Sequence, residues 1–484
     1  MNLLMLNAFV IYFATLFVIT LIGYNITLSS MKNKQKTDLV LGNRSLNYFL
    51  TALAAHASDM SNWLFMAFPA AIFVGGLFNF WIAIGLLFFM FLNWHFIAPK
   101  IRVATEEYNC STISGYFEQK FNDKAGIIRI ITAIMAIIFF SIYISAGLKG
   151  FGILLQSTFN IPYSIGILIG AFIVAIYPLL GGYIAVAWVD LFQGMFLLLM
   201  IVLVPILAFS KIEGWNEISQ IAMQKNISLS LLPSFDFKTI FSGILLACGW
   251  GLGYFGMPQI LTKFMGIQNV KEMHKSKYIG ISWQIITLLA ATAVGLIGIA
   301  FFKGGITNPE QIFIQMVLNL TSPFWAGLIL CAILAAIVST TASQILVLTS
   351  VLTDDLYKNI INKKATRKEL SWVFRAGILL IMIFAFAVAK NEIKTVMGLV
   401  WFAWAGIGCS FGPLVITSLY STKINKYGAI AGVLGGGISS ALWTIIFKEK
   451  LFGFEIPSMV VGFLISLILI YSVSMFTNFK KEVL

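Results

Sequence analysis

Long apolar runs and short polar connectors alternate along the whole chain. About thirteen of the runs reach the ~20 residues that a membrane-crossing helix needs. They cover approximately residues 7–27, 48–75, 78–98, 126–155, 163–182, 187–210, 239–265, 278–302, 322–352, 371–390, 396–420, 428–447 and 457–477. No connector is long enough for a folded domain outside the membrane. The longest, 211–238 and 303–321, are expected to be short external helices or irregular covers. The stretch 353–370 (TDDLYKNIINKKATRKEL) reads as a basic loop. The pattern predicts an all-α integral membrane protein, one polytopic unit over 1–484.

Two runs are poor straight helices. Residues 51–69 (TALAAHASDMSNWLFMAFP) place a carboxylate, Asp59, in the middle of a membrane-length segment. A carboxylate at bilayer depth costs roughly 2.5–3.5 kcal/mol, so it faces a cavity or a partner. Small residues around it let a backbone unwind and expose its carbonyls. The alternative is an Asp capping a helix at a buried kink. The seventh run holds Gly249, Gly251, Gly253, Gly256 and then Pro258, the composition of a broken helix. Interruptions five runs apart suggest an inverted repeat, with each broken helix lining a midplane site. The expected division is 1–47 as an extra span and loop, 48–210 and 239–420 as the two repeats, and 428–484 as two further spans and a tail.

Composition agrees and adds orientation. The chain of 484 residues is 59% hydrophobic and 11% charged, which excludes a soluble protein of this length. The first run is too long for a signal-peptide core and is read as a retained span. The net charge of +13 sits in connectors, where it sets topology. Alternate connectors are rich in lysine and arginine (Lys32 to Arg44, Lys100 to Lys124, Lys271 to Lys277, Lys358 to Lys368, Lys423 and Lys426, with Lys480 and Lys481 in the tail). The others, including those with Lys211, Lys303, Lys394 and Lys448, are poorer. The N-terminus is then outside and the C-terminus cytoplasmic. Four scattered cysteines without CxxC spacing read as packing residues.

Enzymatic motifs are missing. GLGYFG at 251–256 matches GxGxxG but lacks the strand and βαβ setting of a dinucleotide site. The three histidines, His56, His95 and His274, complete no catalytic set, and His95 and His274 read as interface residues. No covalent chemistry is implied, so the expectation is a carrier and not an enzyme. Residues 333–357 bunch Ser339, Thr340, Thr341 and Ser343 within one turn of a long run. These hydroxyls either bond back to carbonyls one turn earlier or offer hard oxygen ligands to a cation. Ala336, Ser339 and Thr340 fall on one helical face, as i, i+3 and i+4 positions do. Trp250 and Tyr254, four apart, are either packing aromatics or a wall over a small solute. Lys149 either snorkels outward or faces a permeation path.

Several stretches together resemble the sodium:solute symporter family, and within it the bacterial sodium/proline branch, along essentially the whole chain. They are LGNRSL (41–46), ASDMSNWLFMAFP (57–69), WIAIGL (81–86), LGGYIAVAWVD (180–190), GWGLGYFGMP (249–258), ILAAIVST (333–340), TDDLY (353–357), FGPLV (411–415) and KINKYGAIAG (423–432). The resemblance implies a leucine-transporter-type 5+5 inverted repeat and alternating access. It implies one co-transported sodium ion held by the backbone carbonyls of Ala57, Met60 and Ala336 and the hydroxyls of Ser339 and Thr340. It assigns Asp59 to sodium coupling and Ser61 to both ion and solute. Tyr143, Trp250, Tyr254 and Pro258 match positions that line or gate the solute site, and Arg44 a cytoplasmic-side coupling residue.

Departures from the family pattern cluster beside the solute positions. His56 and Asn62 replace glycines, Met257 a glutamine, Gln259 a histidine and Lys149 an apolar residue. The expected activity is sodium-driven import of proline or a related small amino acid across a bacterial-type inner membrane. Alternatives are a carrier of another small carboxylate, a facilitator, and a solute sensor built on the same fold. The expected partners are the solute, sodium and lipid, with no nucleic acid and no obligate protein partner.

Overall fold

The computed structural model describes residues 2–32, 41–391, 395–447, 450–451 and 453–483. Lys34, Lys36, Lys394 and Lys448 of the charge pattern lie outside the described residues. Among the described residues, eleven helices are long and apolar enough to cross a membrane. Shorter apolar helices, Tyr48–Ala57, Asn62–Gly75 and Tyr163–Ile176, accompany them. Strand structure among the described residues is one pair, Lys450–Leu451 against Phe454–Glu455.

Burial separates centre from rim. The helices over Pro323–Ile361 and Val396–Tyr420 are each 83% buried, against 33% for Leu3–Gly23 and Ser458–Asn478. The rim helices turn large apolar side chains such as Phe172 and Ile468 outward. In a bilayer those faces meet lipid tails, so their exposure carries no aqueous penalty.

Both expected interruptions are present. The first broken helix opens at Asn47, whose side chain accepts from the Leu50 N–H, and runs over Tyr48–Ala57. It stops because polar side chains offer its backbone other partners. Ser58 Oγ donates to the Ala55 carbonyl at 3.0 Å. Ser61 takes φ 36°, and its Oγ accepts from the Trp63 N–H. A 3₁₀ turn follows at Asn62–Leu64, and the helix resumes over Ala67–Gly75.

The second broken helix runs over Phe237–Gly251, tightens to a 3₁₀ turn at Leu252–Gly256 and restarts over Pro258–Met265. Met257 is extended (φ −84°, ψ 103°), as the residue before a proline is biased to be. Its glycines also permit close packing. A Cβ on Gly253 would lie 2.2 Å from the Trp404 indole nitrogen, and one on Gly256 2.5 Å from the Gly412 backbone nitrogen.

Two expectations need correction. The runs 163–182 and 187–210 form one helical stretch, Tyr163–Phe209, with Pro178 and Pro205 inside it. The GGYIAV link supplies only two glycines, which weaken a helix by about 1 kcal/mol each without ending it. Nor is 353–370 a loop. Helix continues past Ser350 as a π-helical segment, Val351–Ile361, in which the Thr353 hydroxyl donates back to the Thr349 carbonyl. The connector shrinks to 362–366, and a capping box between Thr366 and Glu369 starts the next helix. The connectors 211–238 and 303–321 carry short helices, Trp215–Gln224 and Ile312–Leu320. All four cysteines are free thiols.

Candidate functional site

Helix Pro323–Ser350 passes the gap in the first broken helix. Ending that helix at Ala57 leaves late carbonyls without intrahelical donors. The Ala57 carbonyl instead accepts from Ser339 Oγ at 2.8 Å and Thr340 Oγ1 at 3.4 Å. Across the gap, the Ser61 N–H donates to Thr340 Oγ1 at 3.0 Å. Ser339 Oγ also reaches the carbonyls of Ala335 at 2.9 Å and Ala336 at 3.3 Å. Ala57, Ala336, Ser339 and Thr340 thus meet at one buried point. Met60 is adjacent in sequence, but its carbonyl accepts from the Leu64 N–H at 3.2 Å.

The bonding-back reading of the hydroxyl cluster is realised in part. Thr341 only bonds back, to the Ile337 carbonyl. Ser339 bonds back and across. A serine hydroxyl has one proton and two lone pairs. With its proton directed to Ala335, Ser339 presents its lone pairs beside the Ala57 carbonyl. The result is a set of neutral, hard oxygen donors, the type that suits hard cations.

A second polar chain starts at Asp59. Its Oδ2 accepts from the Tyr254 hydroxyl at 2.6 Å. That hydroxyl in turn accepts from Gln284 Nε2 at 2.9 Å. Asn93 Nδ2 donates to the Tyr254 carbonyl at 3.0 Å, which fixes the second broken helix where it is unwound. Tyr143 lies beside Ser61 and Asp59. The two broken helices are therefore joined by a carboxylate–phenol–amide relay.

Aromatic rings cover this relay. Trp63 packs against Trp250 with centroids 5.0 Å apart, and Trp250 against Trp401 at 4.8 Å. Tyr254 meets Trp404 edge-on at 5.3 Å, and the Trp404 indole donates to the Trp250 carbonyl at 2.8 Å. Trp401 and Trp404 belong to helix Val396–Tyr420, whose N-terminus is held by Glu310. The Glu310 carboxylate accepts from the N–H groups of Val396 at 3.1 Å and Met397 at 3.0 Å. Burial pushes the Glu310 carboxyl above its ordinary range, against the pull of these N–H groups and of Lys149.

The remaining expected residues sit elsewhere. Pro258 starts the second half of its broken helix and lines a cleft with Thr262, Val347, Ser350 and Thr112. Thr112 belongs to a connector rich in lysine, so this cleft faces the basic-loop side. Arg44 lies at the C-terminal end of the second broken helix. It donates to the Met265 carbonyl at 2.8 Å, to Thr105 at 3.2 Å and to the Cys110 carbonyl at 3.1 Å. Lys149 is buried, with its Nζ 3.5 Å from the Asn391 carbonyl and 5.3 Å from the Tyr163 ring centroid.

Sequence reasoning missed Trp63, Gln284, Asn93, Trp404 and the Asp190–Lys263 pair. Asp190 and Lys263 are charges inside apolar runs, which is a usable signal. Gln284 is a single amide in an ordinary helix and Asn93 one at the start of a π-helical turn, with no local pattern to mark them.

Comparison with known proteins follows this geometry closely. The model of the Sodium:solute symporter family matches residues 39–436. Proteins named Sodium/proline symporter from Staphylococcus aureus strains JH9 and COL are each 38% identical over 480 residues, 97% of this chain and 92% of the relative. A Na⁺-coupled sialic acid symporter, solved substrate-bound and outward-open, superposes with a TM-score of 0.81 at 17% identity, covering 97% of this chain and 98% of that one. Mhp1, a nucleobase-cation-symport-1 family transporter in a closed conformation, gives 0.55 at 12% identity, with 90% and 93% covered. At such identities these structures speak to the fold alone. That fold is the leucine-transporter type, with its two broken helices.

Proposed function

This chain belongs to the sodium:solute symporter family, and on that footing we propose that it imports proline or a related small amino acid together with sodium, by alternating access. The observation that carries this reading is the meeting of the Ala57 carbonyl with the hydroxyls of Ser339 and Thr340 across an opened helix. In this reading those groups, with the carbonyls of Ala336 and Met60, hold the ion. Asp59 supplies a charge beside the ion without belonging to its neutral ligand set. Ser61 bridges ion and solute, donating its N–H to Thr340 while lying beside Tyr143. Tyr143, Trp250, Tyr254 and Pro258 bound the solute path, and Arg44 clamps the inner end of the second broken helix.

Coupling follows from the position of the ion. A cation between the first broken helix and helix Pro323–Ser350 ties together two elements that separate when the inner side opens. Sodium therefore favours the outward-open state, and the solute pocket organised beside it binds more tightly there. That is coupling by differential affinity for two states. Residues 48–210 and 239–420 act as the two repeats, and the charge pattern places the N-terminus outside and the C-terminus in the cytoplasm of a plasma membrane.

The test is uptake by purified protein in proteoliposomes, with a panel of labelled amino acids and small carboxylates. An inward sodium gradient should drive accumulation of proline or a close relative above equilibrium. Equal uptake with and without the gradient would contradict the reading and favour a facilitator.

A further inference from the structure

We infer that Gln259 and the neighbouring Lys263–Asp190 pair form an inner subsite that receives the zwitterionic headgroup of the amino acid after it leaves the aromatic cover. The inference rests on the proposed amino-acid symport and adds a residue set and a direction to it. Gln259 is 1% exposed, and both its Nε2 and Oε1 lack a hydrogen-bond partner among the described residues. A buried amide left with neither partner costs free energy, so such a group marks a place where a ligand completes the bonding. Gln259 lines a narrow cleft with Lys263, Ser343 and Thr262, which has to widen as the inner side opens to admit the headgroup.

The polar atoms there are matched to a zwitterion. Lys263 Nζ donates to Asp190 Oδ2 at 2.7 Å, and Ser343 Oγ donates to the same oxygen at 3.2 Å. Lys263 has three N–H donors, and this ion pair uses one. Asp190 Oδ1 is buried without a partner among the described residues. The subsite thus offers donors from Gln259 Nε2 and Lys263 to a carboxylate. It offers acceptors at Gln259 Oε1 and Asp190 Oδ1 to a primary or secondary ammonium nitrogen. A solute with only one of the two charges satisfies half of this set. The buried ion pair also keeps the cleft close to neutral, so a net-neutral zwitterion enters without an added charge penalty.

Position makes the subsite a waypoint toward the inside. Gln259 follows Pro258 directly, at the start of the inner half of the second broken helix. The cleft shares Thr262, Val347 and Ser350 with the one that reaches Thr112 on the basic-loop side.

The test is proline transport in oriented membrane vesicles, right-side-out and inside-out, for wild type and Gln259→Leu. The expected result is a KM at the inner face raised at least tenfold, with the KM at the outer face changed less than threefold and sodium stimulation kept. Gln259→Glu, nearly isosteric, keeps the acceptor and loses the donor, and should also weaken inner-face affinity; it serves if the leucine variant does not fold. In competition assays at the inner face of wild type, proline amide and N-acetylproline should each compete at least tenfold more weakly than proline. An unchanged inner-face KM in both variants overturns the subsite, as does an equal rise at both faces. Failure of wild type to accumulate any amino acid with sodium would instead overturn the proposed symport.

Discussion

Two polar clusters lie one turn apart on helix Pro323–Ser350, and they are built in opposite ways. At Ser339 and Thr340 the partners are a carbonyl, hydroxyls and a backbone N–H, all neutral. At Ser343 the partners are a carboxylate and an ammonium, both fully buried and 2.7 Å apart. In the proposed reading the neutral cluster takes in a cation and releases it, because the nearby carboxylate of Asp59 bonds to Tyr254 and is not among the ion's ligands. The charged cluster already holds its own cation. On the proposed function, separating these two roles along one helix would let an ion come and go at one turn while the next turn stays net-neutral and polar for the solute.

The sharpest way to break this contrast is to unbalance the charged cluster. Either Asp190→Asn or Lys263→Met alone strands one buried charge, which costs about 3–5 kcal/mol. Both single variants should show a clearly lowered melting temperature at a fixed scan rate. Asp190→Leu combined with Lys263→Met should recover most of that stability while losing inner-face affinity for the solute. Equal melting of the single variants and wild type would mean that the pair is not a closed ion pair.

A middle-sized effect is expected where the two broken helices touch. Tyr254→Phe removes the O–H that donates to Asp59 and orphans Gln284. A hydrogen bond to a charged group is worth about 1.5–3 kcal/mol, which corresponds to a roughly tenfold to hundredfold rise in half-saturation. The rise should appear in the sodium dependence of uptake as well as in solute KM. A change in solute KM alone would detach Tyr254 from the ion.

The smallest effect belongs to the Glu310 cap. Glu310→Gln keeps the shape of the cap on helix Val396–Tyr420 and removes its charge, worth about 0.3–1 kcal/mol at a helix N-terminus. The melting temperature should fall by ~1–2 °C, with sodium dependence unchanged. A large loss of sodium dependence would show that this cap and the neutral cluster are coupled more tightly than their separation implies.

Much of this architecture is legible in the chain because bilayer physics leaves few choices. Apolar run length marks the helices, and the polar insert at 58–62 and the glycine-rich stretch before Pro258 mark where two of them break. What escapes local reading depends on contacts between distant segments. The fusion of 163–182 with 187–210 into one helical stretch turns on a link too weakly helix-breaking to end it. The continuation through 351–361 depends on Thr353 bonding back and on packing against the following helix. Trp404 and Gln284 acquire their roles only because Gly253 and Tyr254 bring the second broken helix against them. Arg44, expected as a cytoplasmic-side coupling residue, sits on the Met265 carbonyl, a contact that no local pattern reveals.

The central claim is tested most directly by binding of radiolabelled sodium to purified protein, wild type against Ser339→Ala with Thr340→Ala. Wild type should show one saturable ion per chain, and the double variant should lose it while keeping its melting temperature within a few degrees. Saturable binding of one ion at wild-type affinity in the folded double variant would contradict the account.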